Sequence, residues 1–162
     1  MSYRIGTGVD FHQLADGRRF MLGGIDIPHH KGALGHSDAD VLLHAVCDAM
    51  LGALALGDIG THFPDTDPTL KDIDSTVLLK KCNDLIHEKG YNVVNIDSTL
   101  CLQSPKIISY VKSMKDRIAS ILQIEADDVS VKATTTEKMG FVGREEGVIA
   151  YATVLLQKRD HV

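Results

Sequence analysis

The sequence predicts an α+β fold: a mixed four-stranded β-sheet and a small hairpin, with helices packed on one face of the sheet. Apolar residues alternate with polar ones along several segments, as in strands, and recur at helical spacing in three others. The resulting order, β, ββ, α, α, β, α, β, β, favours one sheet with a single layer of helices. The chain has 162 residues and is predicted to form one domain over residues 1–162.

The N-terminal segment predicts a strand followed by a hairpin. Residues 3–9 alternate as a strand that ends just before Asp10. Residues 19–27 contain two short apolar runs joined by Gly23-Gly24, a typical two-residue hairpin turn. Residues 28–36 are expected to form a loop.

The first long helix has signals at both ends. Ser37 followed by Asp40 resembles a capping box, and the apolar, Ala-rich run behind it ends at Gly57, a suitable C-terminal cap. Residues 58–70 are rich in turn-forming residues and are expected to lack regular structure.

The C-terminal half predicts two helices and three strands. The helices cover about 75–89 and 107–121, and strands are expected at 91–102 and 129–134. In the strand at 91–102 the expected buried face consists of Val94, Ile96, Leu100 and Leu102.

In the last strand, 148–156, the side chains that point to either face are apolar. This strand is therefore predicted to be buried on both faces. One helix layer leaves the second sheet face uncovered, and a large apolar face of this kind favours an oligomer.

Composition excludes several classes of protein. No apolar run approaches the length of a membrane span, and the N-terminus shows neither a signal peptide nor a transit segment, so a cytoplasmic protein is expected. Three widely spaced cysteines, Cys47, Cys82 and Cys101, predict buried free thiols rather than disulfides. The chain is mildly acidic without a basic stripe, so nucleic-acid binding is not expected.

The excess negative charge is confined to residues 29–67. This stretch holds six aspartates and one lysine, together with five of the eight histidines. Chemistry is therefore expected there.

A metal site is one interpretation of the histidines and aspartates. Asp10 and His12 are two apart on a strand and can point to the same side, while His44 lies in the helix between Asp40 and Asp48. Two imidazoles and one carboxylate with an open position resemble catalytic zinc, and they also suit non-haem Fe(II). The alternative is that His44 is an ordinary helix residue and that the pair is a chance occurrence.

A second polar cluster follows the strand at 129–134. Three threonines, Glu137 and Arg144 supply groups that could bind phosphate oxygens and magnesium together. The alternative is a Thr-rich strand followed by a glycine hairpin. Solvated surface positions are expected for the remaining groups, which are His29, His30, His87, His161, Asp127, Asp128 and Glu145.

Three long motifs resemble the 2-C-methyl-D-erythritol 2,4-cyclodiphosphate synthase family of the non-mevalonate isoprenoid pathway. They are GVDFHQL at 8–14, KGALGHSDADVLLHAVCDAMLGALALGDIGTHFPDTDP at 31–68 and VKATTTEKMGFVGREEGV at 131–148. The resemblance covers essentially the whole chain in the same order.

The resemblance implies roles for particular residues. Asp10, His12 and His44 would bind one Zn²⁺ per subunit, Glu137 would bind Mg²⁺ or Mn²⁺, and His36 and Thr135 would stabilise the transition state. Substrate contacts would come from Ser37, Asp58, Ile59, Gly60, Phe63, Pro64, Asp65, Thr66, Asp67, Leu102, Gln103, Ser104, Pro105, Lys106, Ile107, Ile108, Thr134, Thr136, Phe141 and Arg144.

The resemblance also implies a homotrimer with the open sheet face toward its axis and active sites between subunits. The reaction would be that of a phosphorus–oxygen lyase, in which the 2-phosphate of 4-diphosphocytidyl-2-C-methyl-D-erythritol 2-phosphate displaces CMP to close a cyclic diphosphate. Two other functions stay open: a zinc-dependent phosphohydrolase and a non-catalytic trimeric ligand-binding protein. The family can bind an isoprenoid diphosphate at the trimer axis, where this chain has Val9 in place of an aromatic residue.

Overall fold

The computed structural model describes residues 2–159, which form a mixed five-stranded sheet, a two-stranded hairpin and a layer of helices on one sheet face. The strands are β1 Tyr3–Asp16, β2 Met21–Leu22, β3 Ile25–Asp26, β4 Lys31–Ala33, β5 Tyr91–Cys101, β6 Val129–Thr134 and β7 Gly147–Lys158. The helices are α1 Val41–Ala53, α2 Ile59–His62, α3 Ser75–Glu88, α4 Val111–Leu122 and α5 Gly140–Gly143.

The order of strands brings three strand ends to one edge of the sheet. The order is β4-β1-β7-β5-β6, in which β5 and β6 are parallel and the other neighbours are antiparallel. As a result, β1, β5 and β6 run in the same direction and their C-terminal ends lie at the same edge.

The prediction of four sheet strands was wrong by one, because β4 adds a fifth. Residues 31–33 were expected to lie in a loop, but they pair with the end of β1 from Leu14↔Ala33 to Asp16↔Lys31. β1 continues to Asp16, so Asp10 and His12 lie within the strand rather than at its end. A three-residue strand is too short to show an alternating pattern, and only the pairing reveals it.

The first helix packs directly on the backbone of β1. A Cβ added to Gly8 would lie 2.0 Å from the carbonyl oxygen of Ala45, and one added to Gly6 would lie 2.0 Å from that of Ala49. Glycine is therefore required at these two positions by the close approach of the helix. This contact places His44 beside Asp10.

Replacing Gly8 by alanine is expected to lower the free energy of unfolding by about 3 kcal/mol, because the new methyl group meets backbone that has to move. Gly52→Ala is the matched control, since its Cβ would lie 3.9 Å from the nearest atom and alanine favours the helix by up to about 1 kcal/mol. Urea denaturation of both variants tests this. Equal stability of the two variants would contradict the close packing.

Asp40, rather than Ser37, begins α1. The Asp40 carboxylate accepts a hydrogen bond from the Leu43 N–H at 3.0 Å, which makes Asp40 the N-cap. It also accepts from the N–H groups of Gly23 at 3.0 Å and Gly24 at 2.7 Å. The predicted hairpin turn at these two glycines is confirmed, and both have positive φ. The helix ends at Ala53, four residues before the predicted cap at Gly57.

Three further predictions needed correction. Residues 58–70 contain α2 and a 3₁₀ helix, Pro68–Leu70, because Asp58 and Asp67 cap these short turns. In β5 a bulge between Val93 and Asn95 shifts the alternation, so Val93 is buried in place of Val94. α5 forms within the glycine-rich segment that was expected to be a hairpin. The helices predicted at 75–89 and 107–121 are confirmed as α3 and α4.

The sheet face opposite the helices carries large exposed apolar side chains. Ile5 is 69% exposed and Phe11 is 55% exposed, and Val9 and Tyr151 are also exposed. The prediction that β7 is buried on both faces is wrong for the single chain, because Tyr151 is exposed on the face that the helices do not cover. Within residues 2–159, no helix is long and apolar enough to cross a membrane.

Candidate metal centre and adjoining cavities

Asp10, His12 and His44 bring three potential ligand atoms together between β1 and α1. The Asp10 Oδ2 atom lies 3.0 Å from His12 Nε2 and 3.1 Å from His44 Nδ1, and the two nitrogens are 3.2 Å apart. Ligand atoms around a tetrahedral Zn²⁺ with bonds of about 2.1 Å lie roughly 3.4 Å from one another. The triangle formed by these atoms therefore fits a divalent ion after a small outward movement.

Hydrogen bonds on the far side of each imidazole leave the inner nitrogen free to bind a metal. His12 Nδ1 lies 2.8 Å from the carbonyl oxygen of Leu34 and donates to it. His44 Nε2 lies 2.9 Å from Ser75 Oγ and 3.1 Å from Ser37 Oγ. Both rings can thus carry their proton on the outer nitrogen, which is the tautomer required of a neutral ligand.

Asp10 carries the negative charge of this site. Burial tends to raise the pKa of Asp10, but hydrogen bonds with His12 and His44 outweigh burial and hold this pKa well below its usual range. Burial tends to lower the pKa of His44, but its hydrogen bond to Asp10 and the charge of Asp10 raise it above the ordinary value. The site therefore attracts positive charge, which either a proton or a metal ion can supply.

The groups that orient His44 were not found by sequence reasoning. Asp40 and Asp48 flank it by one turn, but Asp40 binds the hairpin and Asp48 accepts from the N–H of Ile59 at 2.8 Å. The ring is held instead by Ser37 and by Ser75, whose hydroxyl donates to Asp38. Ser75 is 31 residues from His44, and no local motif signals this contact.

Replacing Ser75 by alanine is expected to weaken divalent metal binding at this site about tenfold, because loss of an outer partner commonly reduces metal affinity by roughly 10–100-fold and Ser37 remains. Ser98→Ala is a suitable control, since it removes another buried hydroxyl whose hydrogen bond goes to the Ser130 carbonyl. Competition with a chromophoric chelator measures the affinities. Equal affinity in the Ser75 variant and wild type would show that Ser75 does not orient the ligand.

A cavity of about 310 Å³ opens over the three ligands. The predicted residue His36 lines it, as do five of the predicted substrate residues: Ser37, Ile59, Gly60, Phe63 and Asp65. Gly35, Leu70, Ile73 and Leu78 also line it and were not predicted. Pro64, Thr66, Asp67 and Asp58 do not line it; the Asp58 carboxylate caps α2 through Thr61.

A second cavity, of about 420 Å³, lies beside the ends of β5 and β6. Its lining includes these predicted residues: Leu102, Gln103, Pro105, Lys106, Ile107, Ile108, Thr134 and Thr135. Val111, Val131, Lys132 and Ala133 also line it and were not predicted. Ser104 is joined to Pro105 by a cis peptide bond and does not line the cavity.

Thr135 and Glu137 form an exposed turn next to the second cavity. The Thr135 hydroxyl donates to the Glu137 carboxylate at 3.0 Å, and Lys138 N–H donates to Gln103 Oε1 at 3.2 Å. Glu137 and Lys138 both have positive φ, a conformation that costs about 1 kcal/mol or more per residue outside glycine. The turn thus presents the carboxylate and hydroxyl to solvent in a strained backbone. Thr136 closes it by donating to the Met139 carbonyl at 2.6 Å.

The last two predicted residues lie outside both cavities. Arg144 forms a two-point ion pair with Glu146, with both N···O distances at 3.0 Å. The ring of Phe141 packs against Phe11 with centroids 6.5 Å apart.

The two cavities lie at the same sheet edge but far apart within one chain. Asp10 pairs with Ala150, Ala150 with Leu100, and Leu100 with Ala133. Three strand spacings separate Asp10 from Ala133, a distance of roughly 14 Å. Within one chain, the strands that lead into the two cavities are therefore separated by the width of β7 and β5.

Several residues predicted as solvated surface are more buried than expected. His29, His87 and Glu145 are half-buried, whereas His30 is exposed as predicted. His161 lies outside the described residues. The cysteine prediction is confirmed for Cys47 and Cys82, which are free and buried, and Cys101 is free but half-buried.

The fold and site define an α+β protein with an open His₂Asp metal-type centre at a sheet edge. The sequence profile of the YgbB family matches residues 3–157, so the chain belongs to this family. It is 57% identical over 156 residues to the 2-C-methyl-D-erythritol 2,4-cyclodiphosphate synthase of Fusobacterium nucleatum, covering 96% of this chain and 98% of the relative. It is 58% identical over 156 residues to the synthase of the same name from Chlorobium phaeobacteroides, with the same coverage.

Solved structures share the fold over nearly the whole chain. The bifunctional IspDF from Campylobacter jejuni superposes with a TM-score of 0.94 at 42% identity, covering 98% of this chain and 43% of that protein. The IspF–CDP complex from Plasmodium falciparum superposes with a TM-score of 0.86 at 33% identity, covering 98% of each chain. The match therefore spans less than half of the bifunctional protein and 98% of the Plasmodium falciparum chain.

Proposed function

We propose that the protein converts 4-diphosphocytidyl-2-C-methyl-D-erythritol 2-phosphate to 2-C-methyl-D-erythritol 2,4-cyclodiphosphate and CMP in isoprenoid biosynthesis. The observation that carries the proposal is the Asp10–His12–His44 triangle, with ligand atoms 3.0–3.2 Å apart, at the floor of a cavity in a member of this family.

The chemical problem is the attack of one phosphate on another. Two unit charges 4 Å apart repel by roughly 4 kcal/mol at an effective dielectric constant of 20. Zn²⁺ at the triangle and Mg²⁺ or Mn²⁺ at Glu137 would supply the positive charge that offsets this repulsion. Asp10, His12 and His44 would hold the first ion, and the exposed Glu137 carboxylate is a hard oxygen ligand suited to the second.

The polar groups around the cavity would position the reacting phosphates. We assign stabilisation of the transition state to His36 and Thr135, which are both exposed side chains able to donate hydrogen bonds. Ser37, Ile59, Gly60, Phe63 and Asp65 would hold the methylerythritol part, since all five line the first cavity. Cytosine would lie in the second cavity, between Leu102–Ile108 and Thr134.

We further propose a homotrimer in which each active site uses the first cavity of one subunit and the second cavity of its neighbour. Two facts support this arrangement. The strand positions Asp10 and Ala133, which lead into the two half-sites, are roughly 14 Å apart across the sheet. The uncovered sheet face exposes Ile5, Val9, Phe11 and Tyr151. Burying these side chains around an axis would remove them from water.

A cytoplasmic location and a single catalytic domain complete the proposal. The thiols of Cys47, Cys82 and Cys101 are free, as is usual in a reducing compartment. One hydrophobic cluster connects the helices with the sheet, which supports a single unit.

The assay is phosphorus NMR of the substrate incubated with the protein, Zn²⁺ and Mg²⁺. CMP together with a cyclic diphosphate is the expected result. Inorganic phosphate or a ring-opened product would indicate a zinc phosphohydrolase instead. Unchanged substrate in the presence of a metal-loaded protein would favour a binding protein without catalytic activity.

Replacing Glu137 by glutamine is expected to leave Zn²⁺ content unchanged and to raise the Mg²⁺ concentration needed for half-maximal turnover at least tenfold, because an amide binds Mg²⁺ more weakly than a carboxylate. Glu88→Gln removes one negative charge at the exposed end of α3 and serves as the control. Magnesium titrations of turnover measure the effect. An unchanged magnesium dependence in the Glu137 variant would refute its role.

A further inference from the structure

A second group of potential metal ligands lies where the loop before β4 meets the segment before β7. His29, His30 and Glu145 each offer one ligand atom, and these atoms lie within 4.8 Å of one another. We propose that these three residues form a second divalent metal site, which takes a borderline ion such as Zn²⁺ and shares no residue with the Asp10–His12–His44 centre. Two imidazoles and a carboxylate are donors that suit this ion.

The two histidines are arranged as a pair rather than as separate surface side chains. Their ring centroids are 4.4 Å apart with the planes at 60°, although consecutive residues of an extended chain normally point to opposite sides. The ring of Phe20, which is fully buried, lies 6.1 Å from His29 and limits its movement. The pair is thus held close to Glu145 before any ion binds.

One nitrogen of this group is buried without a partner. His29 Nε2 has no hydrogen-bond partner among the described residues and is removed from solvent. Buried polar atoms without a hydrogen-bond partner are uncommon. Each one destabilises the fold by about 1–3 kcal/mol relative to the same atom with a partner. A metal ion bound to this nitrogen would supply the missing partner.

Hydrogen bonds hold the backbone on both sides of the site. Lys31 Nζ donates to the carbonyl oxygen of Glu145 at 2.9 Å, and the His30 carbonyl accepts from Gly17 N–H at 2.9 Å. Glu145 has a φ of 56°, a left-handed conformation that its surroundings impose. The ligand atoms, which lie within 4.8 Å of one another, would move closer together to bind one ion.

An ion at this site would connect the loop before β4 to the connection between β6 and β7. That connection carries Thr135, Glu137 and Arg144, all exposed. The inferred role is a structural clip that holds this connection against the edge of the sheet.

The test uses Zn²⁺ alone, so its outcome does not depend on the proposed reaction. Equilibrium dialysis followed by elemental analysis should find two equivalents per chain in wild type and one in His12→Ala. His30→Ala and Glu145→Gln should each lose the second equivalent or bind it at least tenfold more weakly. The matched control is His87→Ala, a half-buried histidine outside the group, which should keep both equivalents.

Thermal denaturation provides an independent readout. Zn²⁺ should raise the melting temperature of His12→Ala by several degrees and leave that of the His12→Ala, His30→Ala double variant unchanged. A wild-type stoichiometry that His30→Ala and Glu145→Gln leave unchanged would overturn the second site, whereas a missing equivalent that these two variants do not account for concerns only the Asp10–His12–His44 centre.

Discussion

Replacing His12 by alanine is expected to remove one equivalent of Zn²⁺ per chain and to lower turnover about a thousandfold, since loss of a bound Lewis acid forfeits several kcal/mol of transition-state stabilisation. The His12 Nε2 atom is 3.0 Å from Asp10 Oδ2 and 3.2 Å from His44 Nδ1, so it forms one corner of the ligand triangle. Without it, two protein ligands remain, which is fewer than the three found in catalytic zinc sites.

His12 is the ligand whose removal best separates metal binding from folding. Its side chain is partly exposed, and the hydrogen bond it loses goes to the carbonyl of Leu34. His44, in contrast, is buried and forms hydrogen bonds with the hydroxyl groups of Ser37 and Ser75. We expect the His12 variant to keep its fold, which circular dichroism can check.

Elemental analysis and phosphorus NMR of the same preparation measure the two effects together. His87→Ala is again the control, and it should change neither zinc content nor turnover. If His12→Ala retained the full wild-type zinc content, His12 would not be a ligand. If it lost zinc but kept turnover within tenfold of wild type, the metal centre would not take part in the reaction.

Replacing Asp40 by alanine is expected to lower the free energy of unfolding by about 4 kcal/mol. The Asp40 carboxylate is fully buried and accepts from three backbone N–H groups, those of Gly23, Gly24 and Leu43. Alanine removes the N-cap of α1 and leaves the hairpin donors without a partner. A buried donor in that state costs roughly 1–3 kcal/mol, in addition to about 1 kcal/mol for the lost cap.

Asp74→Ala is the matched control for this substitution. Asp74 caps α3 by accepting from Thr76 N–H at 2.8 Å. It is exposed, and within residues 2–159 its carboxylate has no hydrogen bond to another helix or strand. The control is expected to lose about 1 kcal/mol. Urea denaturation of the two variants isolates the contribution of the hairpin anchor, and equal losses would show that the bonds to Gly23 and Gly24 contribute nothing to stability.

Most of the regular elements could be predicted because their signals are local. Periodicity places both ends of β6 correctly and those of α3 and α4 within four residues, and Gly23-Gly24 marks the hairpin turn. Asp10 and His12 could also be predicted as a pair of ligands, since residues two apart on a strand point to the same side. Their approach to His44 depends on Gly6 and Gly8, whose role follows only from the 2.0 Å contacts with α1.

Predictions failed where a distant contact outweighs the local pattern. Ser37 and Asp40 both fit a helix start, and the choice between them rests on the hairpin donors that Asp40 satisfies. The bulge at Val93 arises from pairing with β7. The strand at 31–33 likewise exists only because the end of β1 is available to pair with it.

The α+β class, most helices and strands, the types of the candidate metal-ligand side chains and the family could all be predicted from the sequence. These depend on periodicity, turn chemistry and motif identity, which are properties of neighbouring residues. Three features required the folded chain: Ser75 and Asp38 orient His44, the two cavities are separate within one chain, and His29 and His30 lie close to Glu145. The physical reason is that hydrogen bonding and packing between segments far apart in the chain depend on how those segments pack, which spacing along the sequence does not record.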